Sequence, residues 1–386
     1  MSVYYLNKIQ LKSELDRCLQ CVHKPCTKAC PVNCQPQTFI RQAKQGDTQG
    51  AVQTIMQNNP LGQTCGLICP DKFCLKACLR ARIDFAIQIS KIQATLLENN
   101  REKIPATPTF ENGYTVAVIG AGPAGLAATD VLSRQGFSVH LFEASAQIGG
   151  ALNMIPPERL PHSVVEKDAA VILNRSNVHI VYHKKIQNPS DLLKQFHGVI
   201  VATGEPNIKS LGISGEELAI SYVDYLLHPH TYQTTDPVAI IGGGNVATDC
   251  ALTAHRSGST HVEMFVRRRL CDMRISQTEY LTLLQNKINI SALSHPEKII
   301  REGDSFTLFI SKNHFINQQW QPIPDSSVAL KGFAYIIVAI GSQADSKITH
   351  PRIIYAGDCK SGGSTVVEAI ASGRAAANSM IEQIFK

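Results

Sequence analysis

Two glycine-rich turns, each lying between a short Val/Ile strand and a helical segment, constrain the fold of this chain more than any other feature. In the first, VAVIGAGPAG, residues Gly120, Gly122 and Gly125 form a G-x-G-x-x-G pattern that also contains Ala124. The first glycine allows a tight turn, the second lets the backbone approach a pyrophosphate at the helix N-terminus, and the third permits close packing. Glu143 ends the next strand, where a carboxylate accepts a hydrogen bond from an unmodified ribose.

The second turn, Gly242–Ala247, fits the G-x-G-x-x-A variant of the same pattern. The strand that follows it differs, because HVEMFVRRR ends in Arg267 and Arg268 instead of a carboxylate. A ribose 2′-phosphate would meet two cations there, which favours NADPH over NADH. The alternative interpretation is a solvated strand end, since basic residues are common on protein surfaces.

From Tyr114 onward, short strands alternate with helical segments, which predicts an α/β fold with two Rossmann-like nucleotide-binding domains. Two such domains of unlike chemistry suggest FAD in the first and NADP(H) in the second, with hydride transfer between flavin and nicotinamide. Thioredoxin-reductase chemistry would need a redox-active C-x-x-C in the second domain, where Cys250 and Cys271 stand alone.

Nine of the twelve cysteines lie between Cys18 and Cys78, in the first fifth of the chain. The stretch CLQCVHKPCTKACP has the spacing C-x2-C-x4-C-x3-C-P, close to the cluster-binding run of bacterial ferredoxins. A second set follows at Cys65, Cys69, Cys74 and Cys78. Two [4Fe-4S] clusters would use most of these thiols, with crossed ligation between the sets, and spacing alone leaves open which cysteines are spare.

Structural zinc is the main alternative for these cysteines, and disulfides are a further one. A flavin in the same chain favours iron–sulfur clusters, because FAD takes two electrons as hydride and can release them singly, which zinc cannot accept. Apolar residues recur at three- and four-residue intervals between the cysteines, which predicts short helices in this part of the chain.

Four segments are predicted: an α-helical iron–sulfur domain at 1–108, a first FAD-binding part at 109–205, an NAD(P)H-binding domain at 206–334 and a second FAD-binding part at 335–386. The stretch 101–113 is the predicted linker. The net charge is only +6, with 6% aromatic residues, and no apolar run reaches the roughly 18 residues of a membrane span. Neither nucleic acid nor a membrane is therefore an expected partner. Since the N-terminus lacks a signal-peptide pattern, the cytoplasm is the expected location.

Together the motifs resemble the NADPH-reducing half of dihydropyrimidine dehydrogenase and its relatives, the separate small subunit of the bacterial dehydrogenase and the glutamate synthase small subunit. The resemblance runs essentially end to end, through CLQCVHKPCTKACP, NNPLGQTCGLICP, GAGPAG, PPERLP, GGGNVATDCA, VRRRLCDMR and AGDCKSGGSTVVEAIASGRAAA. It implies glutathione-reductase-like FAD and NAD(P)H domains preceded by an α-helical domain with two [4Fe-4S] clusters.

The resemblance also implies cluster ligands. One cluster would be held by Cys18, Cys21, Cys26 and Cys78, and the other by Cys30, Cys69, Cys74 and Gln93, with Cys34 and Cys65 as bystanders. Glutamine is the unusual ligand of the dehydrogenases, whereas glutamate synthase small subunits look to carry a glutamate there. Residue chemistry alone would make Gln93 an exposed helix residue.

The implied FAD-binding residues are Gly120, Gly122, Ala124, Gly125, Glu143, Gly150, Arg159, Gly357, Asp358 and Thr365. The implied NAD(P)H-binding residues are Gly242, Gly244, Asn245, Val246, Arg267, Arg268, Arg274, Ala339 and Gly341. Asp358 is also the implied catalytic residue, close to where nicotinamide should stack. From its position alone, it would be a helix N-terminal acid that interacts with the macrodipole.

The expected function is that of an electron-input subunit, which oxidises NAD(P)H through FAD and passes electrons through two clusters to a separate FMN-containing catalytic subunit that reduces uracil and thymine. A barrel of about 250 residues does not fit in this chain, so the chain alone should not reduce uracil. The alternatives are a glutamate synthase small subunit and, from another class, a non-catalytic iron–sulfur redox sensor.

Overall fold

The computed structural model describes residues 5–103, 110–205, 207–316, 318–344 and 347–386, so the predicted linker lies partly outside the described residues. The α-helices are α1 (Lys8–Arg17), α2 (Pro25–Lys28), α3 (Pro36–Lys44), α4 (Thr48–Asn58), α5 (Gly62–Ile68), α6 (Ile89–Asn100), α7 (Pro123–Arg134), α8 (His162–Leu173), α9 (Tyr222–Leu227), α10 (Asn245–Arg256), α11 (Gln277–Gln285), α12 (Asp358–Ser361) and α13 (Val366–Ile384). The strands are β1 (Thr115–Ile119), β2 (Ser138–Phe142), β3 (Val178–Val181), β4 (Gly198–Val201), β5 (Asn207–Ile208), β6 (Ile220–Ser221), β7 (Val238–Ile241), β8 (Val262–Val266), β9 (Asn289–Ala292), β10 (Ser294–Glu302), β11 (Ser305–Ile316), β12 (Gln319–Pro322), β13 (Val328–Phe333), β14 (Tyr335–Val338), β15 (Ser342–Gln343) and β16 (Ile353–Tyr355).

The chain divides into two compact units. The first comprises residues 1–153, 157–206 and 344–386, and the second comprises 154–156 and 207–343. The second unit thus ends after Gln343, whereas the sequence analysis put this boundary after residue 334. Strand β14 explains the difference, because it pairs in parallel with β7 and completes the sheet of the second unit. The predicted iron–sulfur domain falls in the first unit, together with both predicted FAD-binding parts except residues 154–156 and 335–343.

Helices α1 to α6 form the cysteine-rich part of the first unit, and the expectation of short helices there is confirmed. Helix α4 begins at an Asp47 cap, whose carboxylate accepts a hydrogen bond of 2.8 Å from the backbone N–H of Gly50. Helix α6 packs against α4 and α5 and buries Ile92, Leu96 and Leu97. This apolar core fixes the short helices that carry the cysteines.

A five-stranded parallel sheet in the order β16-β4-β1-β2-β3 forms the rest of the first unit. Helix α7 follows β1 and packs closely on α13, since a Cβ added at Gly373 would lie 2.0 Å from the carbonyl oxygen of Ala124. Ligands of open α/β sheets bind at the carboxyl ends of the strands. At this edge of the sheet, Gly120 follows β1 and Glu143 follows β2.

The second unit repeats this architecture with a parallel sheet in the order β6-β14-β7-β8-β9. An antiparallel sheet of β10 to β13 and the two-stranded β5–β15 ribbon complete it. At the carboxyl ends of its parallel strands, Gly242 follows β7, Arg267 follows β8 and Ala339 follows β14. The predicted α/β fold with two nucleotide-binding sheets is therefore confirmed.

Candidate functional site

The first of two cysteine-lined cavities lies in the helical part of the first unit. It is a space of about 370 Å³, partly open to solvent, lined by Cys18, Cys21, Cys26 and Cys78. Cys18 ends helix α1, and the chain then turns at Lys24, which has a left-handed φ of 45°. The fold thus brings together the four thiols that the family resemblance assigned to one cluster.

The second cavity, about 410 Å³ and also partly open to solvent, is lined by Cys30, Cys34, Cys65, Cys69, Cys74 and Gln93. These include the four assigned ligands and both assigned bystanders. Gln93 is only 6% exposed, so the exposure expected from residue chemistry alone is wrong. Its Nε2 donates a hydrogen bond of 2.6 Å to the carbonyl oxygen of Gly62, which fixes the direction of the amide.

The arrangement of the thiols fits a multi-iron cluster. Four thiols line the first cavity and five line the second, whereas within the described stretches no three or more His, Cys, Asp or Glu side chains form a group that could hold a metal ion. Burial raises the pKa of Cys74 to about 12, with further contributions from Cys30 and Cys26. Because iron binds the thiolate, cluster assembly must release protons from these buried thiols.

The two cavities are neighbours, and the second also borders the flavin-binding part of the unit. Ile89, the first residue of α6, lines both cavities. Val367, the second residue of α13, lines only the second one. Since Thr365 caps α13, the second cavity lies beside a segment that the resemblance assigns to FAD.

The first glycine-rich turn has the backbone that a dinucleotide requires. Gly120 has a φ of +102°, and a Cβ there would lie 2.5 Å from the carbonyl oxygen of Ala202. Gly122 caps helix α7 and faces open space, because a Cβ there would meet nothing closer than Gly149 and Gly150, at 4.0 Å. This space lies at the N-terminus of α7, where backbone N–H groups suit an anion.

Glu143 is buried beside this turn. One carboxylate oxygen accepts a hydrogen bond of 2.8 Å from the backbone N–H of Ala121, and the other accepts bonds of 2.8 Å from the N–H and hydroxyl of Ser145. These bonds fix the carboxylate, which keeps acceptor capacity for a ribose hydroxyl. Arg159 is half-buried in the turn before α8.

Asp358 begins helix α12 directly after Gly357, whose φ is +70°. Its Oδ1 accepts a hydrogen bond from the hydroxyl of Ser364. Burial raises the pKa of Asp358, the Ser364 bond opposes this effect, and the negative charge of Glu205 adds to it. Neither Ser364 nor Glu205 was among the predicted site residues, although Ser364 lies within the quoted stretch AGDCKSGGSTVVEAIASGRAAA. The side chain and backbone of Thr365 form a capping box with Glu368 at the start of α13.

In the second unit, the glycine-rich turn leads into α10, which Gly244 caps and which begins with Asn245 and Val246. The Oδ1 atom of Asn245 is buried and has no hydrogen-bond partner among the described residues. Such an orphaned acceptor fits a ligand that donates a hydrogen bond. Ala339 and Gly341 follow β14.

Three arginines assigned to NAD(P)H converge beside this turn. The backbone N–H of Arg274 donates to the carbonyl oxygen of Gly243 at 3.4 Å. The pKa of Arg268 is lowered, first by burial and then by the positive charges of Arg274 and Arg267. Within the described residues these three have no ion-pair partner, whereas Arg269 Nε lies 2.7 Å from Asp272 Oδ2.

Two family models match the chain. A dihydropyrimidine dehydrogenase domain with a 4Fe-4S cluster matches residues 2–104, and the pyridine nucleotide-disulphide oxidoreductase family matches residues 114–355. The family match supports iron–sulfur over structural zinc. No helix in the described residues is long and apolar enough to cross a membrane.

Among curated relatives, the NAD-dependent dihydropyrimidine dehydrogenase subunit PreT of Escherichia coli K12 is 30% identical, over 95% of this chain and 92% of its own length. The glutamate synthase (NADPH) small chain of the same strain is 26% identical, over 96% of this chain and 91% of its own. The solved structure of Mycobacterium tuberculosis FprA with NADPH shares the fold, with a TM-score of 0.61 and 14% identity over 70% of this chain and 84% of that one. This chain therefore belongs to the family of NAD(P)H-oxidising iron–sulfur flavoproteins that includes these two curated relatives, and it is an electron-input oxidoreductase that uses FAD, NAD(P)H and [4Fe-4S] chemistry.

Proposed function

We propose that this chain is the electron-input subunit of a dihydropyrimidine dehydrogenase, which oxidises NAD(P)H and delivers electrons to a separate FMN-containing subunit that reduces uracil and thymine. The observation that carries the proposal is the series of neighbouring sites in the first unit: a glycine-rich turn, the second cavity, which Val367 lines, and the first cavity, which shares Ile89 with the second. When bound, FAD accepts hydride and releases electrons singly to [4Fe-4S] clusters.

Each cavity holds one cluster in this proposal. The first four ligands are Cys18, Cys21, Cys26 and Cys78, and the second four are Cys30, Cys69, Cys74 and Gln93. Support comes from the lining of the two cavities and from the fixed amide of Gln93. Gln93 also favours the dehydrogenase over the glutamate synthase small subunit.

The flavin-binding residues orient FAD in this proposal. The N-terminus of α7 binds the pyrophosphate at Gly122, and Glu143 accepts a hydrogen bond from the ribose. Ser364 holds the carboxyl of Asp358 for contact with the nicotinamide. The proposed FAD-binding residues also include Arg159, Gly357 and Thr365.

The nicotinamide nucleotide is NADPH in this proposal. Arg267, Arg268 and Arg274 present convergent positive charge, which suits a 2′-phosphate, and the unpartnered Oδ1 of Asn245 suits a donor on the same ligand. The dehydrogenase relative is named as NAD-dependent and the glutamate synthase relative as NADPH-dependent.

A partner subunit is supported by the surface around the first cavity. Leu19 lines this cavity and is 44% exposed, Val22 follows Cys21 and is 87% exposed, and Phe85 is 81% exposed. The carbonyl oxygen of Phe85 accepts a hydrogen bond of 2.6 Å from Arg17, the residue before Cys18. Exposed apolar side chains grouped at a redox site are typical of a docking surface for another protein.

The test combines the anaerobically purified chain with the FMN-containing catalytic subunit of a bacterial dihydropyrimidine dehydrogenase. Uracil-dependent oxidation of NADPH is expected only when both proteins are present. Uracil reduction by this chain alone, or none by the mixture, would contradict the proposal.

Two further assays test the alternatives, a glutamate synthase small subunit and a redox sensor. Glutamate formation from glutamine and 2-oxoglutarate with a glutamate synthase large chain would favour the glutamate synthase assignment. A redox sensor would show no sustained NADPH turnover with an artificial electron acceptor.

A further inference from the structure

The second cavity holds more thiols than one cluster needs, and one of them lies against the amide ligand. Cys34 is 2% exposed, and its Sγ donates a hydrogen bond of 3.4 Å to the Oε1 atom of Gln93. Since Nε2 of Gln93 is bound to the carbonyl oxygen of Gly62, Oε1 is the atom left for iron. The thiol of Cys34 therefore lies beside the atom of Gln93 that would bind the cluster.

Cys34 also lies beside an assigned thiolate ligand, because its backbone N–H donates to Sγ of Cys30 at 3.5 Å. Cys65, the other spare thiol, is placed differently. Its side chain is hydrogen-bonded to Cys69, which already supplies a thiolate. Of the two spare thiols, Cys34 is the one hydrogen-bonded to the neutral ligand of the set.

Thiolate sulfur is a softer donor than amide oxygen and is the usual ligand of iron in such clusters. We propose that Cys34 is a second ligand for the iron that Gln93 binds, and that its thiolate takes this iron when the amide leaves. The inference rests on the second cluster of the proposed function. In the exchange the iron–oxygen bond to Gln93 breaks, an iron–sulfur bond to Cys34 forms, and the thiol proton passes to solvent. No electron is transferred and no oxidant is needed.

The test compares the wild-type chain with Gln93→Ala, Gln93→Ala/Cys34→Ala and the matched control Gln93→Ala/Cys65→Ala, all purified anaerobically. Iron and sulfide content, electron paramagnetic resonance of the reduced protein and the potential of each cluster are measured. Wild type and Gln93→Ala are expected to hold about eight irons, and Gln93→Ala/Cys34→Ala about four. The second cluster of Gln93→Ala is expected at a lower potential, because a thiolate adds negative charge. The Cys65 control is expected to match Gln93→Ala.

Loss of the second cluster from Gln93→Ala alone would overturn the inference. The inference would also be overturned if Gln93→Ala/Cys34→Ala kept the iron content and cluster potential of Gln93→Ala. The same holds if the Gln93→Ala/Cys65→Ala control lost as much iron as Gln93→Ala/Cys34→Ala. A wild-type chain with about four irons would overturn both the two-cluster proposal and this inference. Flavin content and circular dichroism, compared across the four proteins, separate ligand loss from misfolding.

Discussion

The backbone N–H of Thr64 donates a hydrogen bond of 2.8 Å to Oδ2 of Asp168, which joins helix α5 of the cysteine-rich part to helix α8 of the flavin-binding part. The other oxygen of Asp168 accepts a bond of 2.9 Å from Arg101. Asp168 is completely buried, and this burial raises its pKa against the opposing effects of Arg101 and Thr64. A buried hydrogen bond to this carboxylate thus fixes the segment that carries Cys65 against the flavin-binding part.

Asp168→Asn should lower the free energy of unfolding by about 2 kcal/mol, because both carboxylate oxygens accept hydrogen bonds and the amide nitrogen of asparagine would face one of the two donors, Thr64 or Arg101. The pKa of Asp168 is raised in the folded state, so the stability that this group contributes is lost as pH rises through that pKa. The substitution should therefore also flatten the pH dependence of unfolding. Thermal unfolding at several pH values measures both effects. The control Asp16→Asn, at exposed pairs with Lys12 and Lys44, should change the stability far less.

Replacing Arg267 and Arg268 with alanine should raise the KM for NADPH about tenfold or more, and change the KM for NADH far less. The reason is that only NADPH carries the phosphate these side chains would bind. Steady-state kinetics with an artificial acceptor gives both constants. Arg269→Ala is the matched control, since this arginine is paired with Asp272. Equal changes in the KM for NADPH and the KM for NADH would contradict the assignment of these arginines to the 2′-phosphate.

Asp358→Asn should slow the reduction of the flavin by NADPH about tenfold. Since the pKa of Asp358 is raised, its carboxylate is lost at a higher pH than that of an ordinary aspartate. The wild-type rate should therefore fall as pH drops through this raised pKa, and the variant should lack that limb. Stopped-flow absorbance of the flavin measures the rate. If the rate of Asp358→Asn still falls at low pH as the wild-type rate does, another group is responsible for the titration. Asp191→Asn, at an exposed carboxylate, is the control.

Cys26→Ala should remove the first cluster and leave the flavin reducible by NADPH. Iron content should fall from about eight to about four, because one of the four thiols of this cavity is lost. Electron delivery to the FMN-containing subunit should stop, whereas small acceptors that react with the flavin should still be reduced. Cys271→Ala is the control, since Cys271 is exposed and lines neither cavity. Unchanged iron in Cys26→Ala would exclude Cys26 as a ligand.

Local patterns were sufficient to predict the two nucleotide-binding sheets and the short helices between the cysteines. Each glycine-rich turn, with the strand before it and the helix after it, is a continuous stretch whose residues determine its backbone. Strand β14 is different, because the composition of AYIIV is the same whichever sheet it joins. Its membership of the second unit depends on pairing with β7, far away in the sequence.

The same distinction applies to the candidate sites. Spacing grouped the cysteines near the start of the chain, and the resemblance supplied the division into two sets. Neither indicated that Cys34 contacts Gln93, since that contact depends on how helix α6 packs. The effect of the Glu205 charge on the pKa of Asp358 is another interaction between distant segments that no motif marks.

The proposed function requires an arrangement in which two clusters lie between the flavin and a partner protein. The most direct measurement is the iron, sulfide, zinc and flavin content of the anaerobically purified chain, followed by titration with NADPH under visible absorbance and electron paramagnetic resonance. With this arrangement we expect about eight irons and one FAD per chain, with NADPH bleaching the flavin and then producing the signals of two reduced clusters. Stoichiometric zinc without iron, or a flavin that NADPH reduces while the clusters stay oxidised, would contradict it.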